Sequence, residues 1–451
     1  MPDSLPHSQR AYVIAVDMGY GHQRAAFPLL KMAAVPQTWD TTEPFIISAN
    51  NYPGIPSEDR RIWSGTRKTY EAISRFDSIP ILGKRIFHLM DSFHQIPPFY
   101  PRRDLSSSIL ENRETYKLIR RGRVGKHLIE TLNRDPLPMV CTFPIPAFFA
   151  EEHGYKGDIY CLCTDTDLAH VWAPLNPQES RIIYLAPTVR AKERLKLYGV
   201  RPENIILTGF PLPQTTTEPE IADAALDRRI VVLDPRGCYR RKYAGLLDLY
   251  VNSALNSSAP PLSPPVTITF SVGGAGAQWE IGIMILKSLQ QHIKSGRIRL
   301  ILSAGALKNV KEKFEAAMKE FGVPIENNIV YAEDKFDYFR KFNAAMIQTD
   351  ILWTKPSELS FFAGLGLPII MAPPLGSQEE SNRAWLLMVG AGIEQYDPRY
   401  ADEWLMDWLE SGWLAGAAVN GLLNTRRKAV RHIEDIVIRG QRTEIEHIHF
   451  L

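Results

Sequence analysis

Residues Val13–Ala26 read VIAVDMGYGHQRAA, and the fold turns on this stretch. From Tyr12 to Val16 the chain is apolar without alternation, which suits a strand buried on both faces of a parallel sheet. Gly19-Tyr20-Gly21-His22 breaks that strand, and a small-residue helix pattern opens at about Gln23. Strand, glycine turn and helix in that order bring backbone N–H groups to the carboxyl edge of a sheet, where α/β proteins bind ligands. Three readings fit: a nucleotide cradle, a catalytic loop carrying His22, or a tight turn that its histidine merely caps. A dinucleotide fingerprint is a poor match, because no third glycine follows and the next apolar run, FIISANN (Phe45–Asn51), offers no acid. His22 is the distinctive group. Histidine has an unperturbed pKa near neutrality, so its ring suits general-base work.

Beyond this stretch, short apolar runs recur as expected strands: Phe45–Ser48, Met139–Thr142, Asp158–Cys163, Arg181–Leu185 and Asn204–Leu207. TVRAKERLKLYGV (Thr188–Val200) reads as a helix stopped by Gly199. LPQTTTEPE (Leu212–Glu220) has linker chemistry, RIVVLD (Arg229–Asp234) reads as a strand, and YAGLLDLYVNSAL (Tyr243–Leu255) as a helix. After the Pro/Ser-rich Asn256–Pro265, a second series begins: Val266–Phe270, Arg299–Ser303, Ile329–Tyr331, Ala344–Gln348 and Pro368–Ala372. Strand, glycine turn and helix therefore appear twice, at Val13 and at Thr267. Two doubly wound α/β domains follow from that rhythm, in keeping with 451 residues at roughly 150 per domain.

Composition narrows the class. Hydrophobic residues make up 45% and charged residues 23%, as in a globular chain, and a net charge of +2 does not suit wholesale polyanion binding. No nucleic-acid-binding motif is present, so no nucleic-acid partner is expected. Cys141, Cys161, Cys163 and Cys238 form neither a C-x-x-C pair nor a disulfide framework, so they read as reduced thiols. MPDSLPHSQR lacks a signal-peptide core, and no run reaches the roughly 18 apolar residues of a membrane span. The expectation is a cytoplasmic protein. Between Arg60 and His127, 15 Lys/Arg stand against six Asp/Glu among aromatics, which fits either an anionic membrane surface or a solvated insertion.

Two further turns carry chemistry. FSVGGAGAQ (Phe270–Gln278) follows the Thr267 strand. Gly273, Gly274 and Gly276 permit close backbone approach to an anion, and Ala275 and Ala277 keep the loop small, although packing alone also uses such turns. No Gly-Lys-Ser/Thr follows, so this is not a Walker A loop. In TDILWTKPSELSFFAGLGLPIIMAPPLGSQEESNR (Thr349–Arg383), Thr354-Lys355-Pro356 ends a strand and Ser357 is a good N-cap, with Glu358 in the first turn. Further on, Gln378, Glu379 and Asn382 gather at a helix start, where amides and carboxylates can fork onto sugar hydroxyls or simply face solvent. Trp404, Trp408 and Trp413 lie in a helical C-terminal part and read as core contacts.

In their order these motifs resemble the GT-B glycosyltransferases of the group that holds monogalactosyl- and glucosyl-diacylglycerol synthases and the lipid II N-acetylglucosaminyltransferase. GYGHQRAA is similar to that group's glycine-histidine loop, LTGFPL (Leu207–Leu212) to its T-G-x-P segment, CTDTDLAHVWAP (Cys163–Pro174) to its Thr-Asp…Trp segment, and TKP…GLPII…P…GSQEESN to its donor motif. The resemblance implies two Rossmann-like domains facing a central cleft: an acceptor-side domain over 1–217 with a basic insertion at about 50–136, a nucleotide-sugar domain over 218–424, and a helix over 425–451 crossing back. It implies His22 as general base, with Gly19, Gly21, Asp165 and His170 on the acceptor side. Gly273, Gly274, Ala275, Gly276 and Gln278 would face the donor diphosphate, Lys355, Ser357 and Glu358 would lie near phosphate or ribose, and Gln378, Glu379 and Asn382 would hold the sugar.

The activity implied is an inverting transfer from a UDP-sugar to a hydroxyl acceptor, with a lipid at the inner membrane face as one candidate. No cofactor or metal beyond the co-substrate is implied. A UDP-sugar epimerase of the same fold and a non-catalytic nucleotide-sugar binder are the rival expectations. Two departures from the group stand out: Ser357-Glu358 replaces a usual Gly-Gly, and the stretch to Gly366-Leu367-Pro368 is shorter.

Overall fold

The computed structural model describes residues 9–40, 43–64, 95–245, 247, 265–274 and 276–442. Two compact units are present. One takes the chain up to Leu212 together with Gly376–Ser381 and everything from Lys428; the other takes Pro213–Leu375 and Asn382–Arg427. Most of Tyr243–Leu255, most of the Pro/Ser-rich stretch, part of the basic segment and Ala275 lie outside the described residues.

The first unit holds a six-stranded sheet: β1 Tyr12–Ala15, β2 Ile47–Ser48, β3 Met139–Cys141, β4 Ile159–Leu162, β5 Ile183–Ala186 and β6 Ile205–Leu207. Their order across the sheet is β2-β1-β3-β4-β5-β6, and every pairing is parallel. The winding reverses between β1 and β3, where Tyr12 pairs with Met139 and Ile14 with Cys141. Such a switch point leaves a crevice at the carboxyl ends of the two strands. The unalternating run Tyr12–Val16 is buried on both faces, as its composition requires.

The second unit repeats the plan with β7 Val266–Ser271, β8 Ile298–Gly305, β9 Ile329–Tyr331, β10 Ile351–Thr354, β11 Ile369–Met371 and β12 Gly392–Glu394. Its order is β12-β11-β10-β7-β8-β9, again all parallel, and its switch point lies between β7 and β10. Each unit has its own apolar core, one around Ile14, Cys141 and Tyr184, the other around Ile268, Phe314 and Trp353. The α/β class and double winding expected from the sequence are thus the ones observed.

Two expected strands are helical. Arg229–Asp234 falls at the end of helix Pro219–Val232. There the buried Arg229 guanidinium donates to the carbonyls of Thr349, Met346 and Leu365, and Ile230, Val232 and Leu233 pack inward. Tertiary burial overrides the β-branched character of the run. Ala344–Gln348 is the last turn of helix Lys335–Gln348, which is capped by the Asp334 side chain accepting from Asp337 N; the strand starts later, at Ile351. The Leu212–Glu220 stretch holds a short helix, Gln214–Thr217, and the first residues of the next. Trp404 and Trp408 are buried as expected, whereas Trp413 is 53% exposed. Cys141, Cys161 and Cys163 are buried free thiols whose pKa values burial raises, and they are chemically quiet.

Candidate functional site

Both distinctive turns fall at switch points. In the first unit the chain leaves β1 through a loop that needs glycine at Gly19, where φ is +74°. Helix Gly21–Ala26 then starts at once and carries His22 in its first turn. Asn50, just beyond β2, braces this loop: Asp17 N donates to Asn50 Oδ1 at 2.8 Å, and Asn50 Nδ2 donates to Asp17 O at 3.3 Å. Asn50 occupies the region where a dinucleotide site would place its acid, and it serves the loop backbone instead.

The His22 ring reaches across the switch point. Its Nδ1 lies 2.8 Å from the carbonyl oxygen of Thr142, just past β3, and 3.4 Å from Thr164 Oγ1. A carbonyl can only accept, so Nδ1 carries the proton in the neutral ring and Nε2 holds the basic lone pair. Phe143 and Trp172 flank the ring, with centroids 4.7 and 6.3 Å away. A single tautomer in a fixed orientation is what a general base needs.

The loop after β4 carries Asp165 and His170 to different places. Asp165 is half-buried. His170 is buried in the packing, its Nε2 donating to Leu105 O at 2.8 Å and its ring lying 4.5 Å from Tyr198. Between them Asp167, which sequence reading passed over, forms a buried pair with Arg194 at 2.8 and 2.9 Å. Thr188 Oγ1 and Tyr198 Oη donate to the carbonyls of Thr166 and Leu168, so this loop is held at three successive residues.

In the second unit the glycine loop follows β7 and the Lys355 turn follows β10, on either side of the switch point. Thr354 Oγ1 donates to Ser271 O at 3.2 Å and locks the two strand ends together. Lys355 folds over Gly273: a β-carbon added there would lie 2.6 Å from Lys355 Cε and 3.2 Å from Nζ. Glycine is therefore required for the lysine's position. Gly274 is half-buried, and Gly276, at φ +74°, closes a turn with its N–H on Gly273 O at 2.8 Å. Gln278 has a left-handed backbone, φ +64°, immediately before helix Trp279–Lys294, and its Nε2 donates to Pro373 O at 2.9 Å.

Ser357 caps its turn as expected, with Leu359 N on its Oγ at 3.4 Å, but the element that follows, Glu358–Leu365, is a 3₁₀ helix. Gln378 and Glu379 are half-buried in the first turn of helix Ser377–Met388. Asn382 is buried in that helix, and its Nδ2 donates to Pro356 O at 3.3 Å. The loop ends of β7, β10 and β11 thus lie along one edge of the second sheet, with the Lys355 ammonium group and small-residue backbone among them. That combination can bind an anion.

Among the described residues, no group of His, Cys, Asp and Glu could hold a metal ion, and no helix is long and apolar enough to cross a membrane.

A family described as a domain of unknown function, DUF6938, matches residues 262–342. No curated protein matches the sequence. Among solved structures, S. aureus MnaA in a co-structure with UDP is 11% identical, with 98% of this chain and 100% of that one covered at a TM-score of 0.47. A putative UDP-N-acetylglucosamine 2-epimerase from Listeria monocytogenes is 14% identical over 77% of this chain and 85% of its own, TM-score 0.43. Acinetobacter baumannii MurG is 13% identical over 73% and 77%, TM-score 0.40. Identities this low leave residue roles to the geometry of this chain.

Proposed function

We propose that this chain is a GT-B-type glycosyltransferase that moves a sugar from a UDP-sugar to a hydroxyl acceptor. The observation that carries the reading is Lys355 folded over Gly273 at the second sheet's switch point. In this reading the diphosphate lies against the glycine loop and Lys355 meets the charge that develops on it, without a metal ion. Gln378, Glu379 and Asn382 serve the sugar, and Ser357 and Glu358 the nucleotide end. His22 takes the acceptor proton on Nε2 as the acceptor oxygen attacks the anomeric carbon, and the anomeric C–O bond breaks with its electron pair leaving on UDP. Attack from the face opposite the leaving group inverts the configuration.

A lipid acceptor is supported by the first unit's surface, where exposed Tyr100, Leu110 and Leu118 interleave with Arg103, Arg113 and Arg121. Sedimentation with anionic vesicles that is lost at high salt tests that part. The activity itself is tested by UDP release from UDP-sugars with and without added acceptors. Release that requires an acceptor, with the sugar transferred to it, is the expected result. Conversion of the UDP-sugar into its epimer without any acceptor identifies the epimerase alternative, and UDP binding with no turnover identifies a binding protein.

A further inference from the structure

Gln278 is one of three non-glycine residues with positive φ among the described residues. An L residue other than asparagine or aspartate seldom adopts that region unless its surroundings hold it there. The residue before a helix normally has extended backbone and caps the first turn with its side chain. Gln278 does neither: its side chain makes no cap, and its amide is committed to Pro373 O. Glycine, the cheapest residue at such a φ, is absent although the loop uses it two positions earlier at Gly276.

The tie joins two loops that are not neighbours. β7 and β11 are separated by β10, so at about 4.8 Å per strand their ends stand roughly 10 Å apart. Gln278 and Pro373 bridge that interval. The Gln278–Pro373 hydrogen bond thus ties the two flanking loops to each other across the strand, β10, from which Lys355 emerges. We infer that Gln278 is a positioning residue: its amide fixes the width of the anion cradle around Lys355 by holding the glycine loop to the loop after β11. This inference rests on the diphosphate reading of the cradle and adds the residue that sets its dimensions.

The test uses the full chain with Gln278→Gly and Gln278→Asn, and UDP and uridine as probes in calorimetry. Glycine relieves the left-handed backbone and removes the amide; asparagine tolerates that backbone but lacks the reach. Both variants should keep or raise the thermal midpoint. Both should bind UDP at least tenfold more weakly while uridine affinity, which does not use the cradle, stays within twofold. A general structural role would weaken both probes together or lower the midpoint. Variants that bind UDP within twofold of the wild type, or that lose UDP and uridine in parallel, overturn the inference alone. Wild-type protein that binds no UDP overturns it together with the reading beneath it.

Discussion

Replacing Gly273 with alanine isolates the position of one ammonium group. The added methyl would stand 2.6 Å from Lys355 Cε, against the 3.5–4.0 Å at which two carbons rest, so roughly 1 Å must be found. The Gly273 backbone is not in the left-handed region, and the obstructing atom lies near the end of a flexible side chain. The lysine therefore moves and the fold stays, with stability expected to change by less than about 1 kcal/mol. A charge-assisted hydrogen bond to a phosphate oxygen is worth about 1.5–3 kcal/mol, so displacing Nζ should weaken UDP binding on the order of 10- to 100-fold.

Calorimetry with UDP on four proteins checks this: wild type, Gly273→Ala, Lys355→Met and the double variant. If the methyl acts only by moving the ammonium, it costs nothing further once the ammonium is gone. The double variant should then bind like Lys355→Met alone. Additive losses, or a Gly273→Ala protein that binds UDP as the wild type does, would mean that Gly273 does not act through the Lys355 ammonium group.

His22→Ala should lower sugar transfer by about 10²- to 10⁴-fold while UDP affinity stays unchanged, measured by turnover and calorimetry on the same preparation. Arg229→Met should destabilise the fold by about 3–5 kcal/mol in denaturant titrations, because three carbonyls lose their donor inside the second unit. Asp59 is buried and accepts from Gly125 N, and burial raises its pKa above the ordinary carboxyl value. Between the unfolded and the raised folded value the native state binds more protons, so stability falls as pH rises through that window. Asp59→Asn should therefore raise the thermal midpoint at neutral pH, with the gain shrinking as pH is lowered into the ordinary carboxyl range.

Strand–turn–helix order was legible wherever burial dictated composition. Tyr12–Val16 is an interior strand, and its unbroken apolar run reflects burial on both faces of a parallel sheet; Val266–Phe270 keeps the strand pattern while alternating with Thr267 and Thr269, which are buried as well. Ile230-Val231-Val232 misleads because a helix buried on most of its surface has the same composition, and the Arg229 guanidinium that anchors it bonds to carbonyls more than a hundred residues away. His22 and Lys355 could be singled out by residue type and turn context. Their settings could not. Thr142 contributes only a backbone carbonyl, and Asn50 becomes a brace only once β2 lies beside β1. The contact between Gly273 and Lys355 depends on strand order, since 82 positions of chain separate two residues that the β7–β10 pairing brings together.

The Ser357-Glu358 departure has a physical consequence at this site. A Gly-Gly pair after Thr354-Lys355-Pro356 would leave the turn's backbone N–H groups open to a phosphate. Here the Leu359 N–H is taken by Ser357 Oγ, and Asn382 fixes the Pro356 carbonyl from the other side. The turn satisfies part of its own polarity and is stiffened by doing so. A diphosphate bound there would find fewer backbone donors at the β10 turn, and a larger share of its charge would fall to Lys355 and to the loop held by Gln278. On the proposed diphosphate reading the Ser357-Glu358 turn would concentrate anion recognition on one side chain, and binding should lose more when Lys355 is neutralised than it would in a site built around a glycine pair.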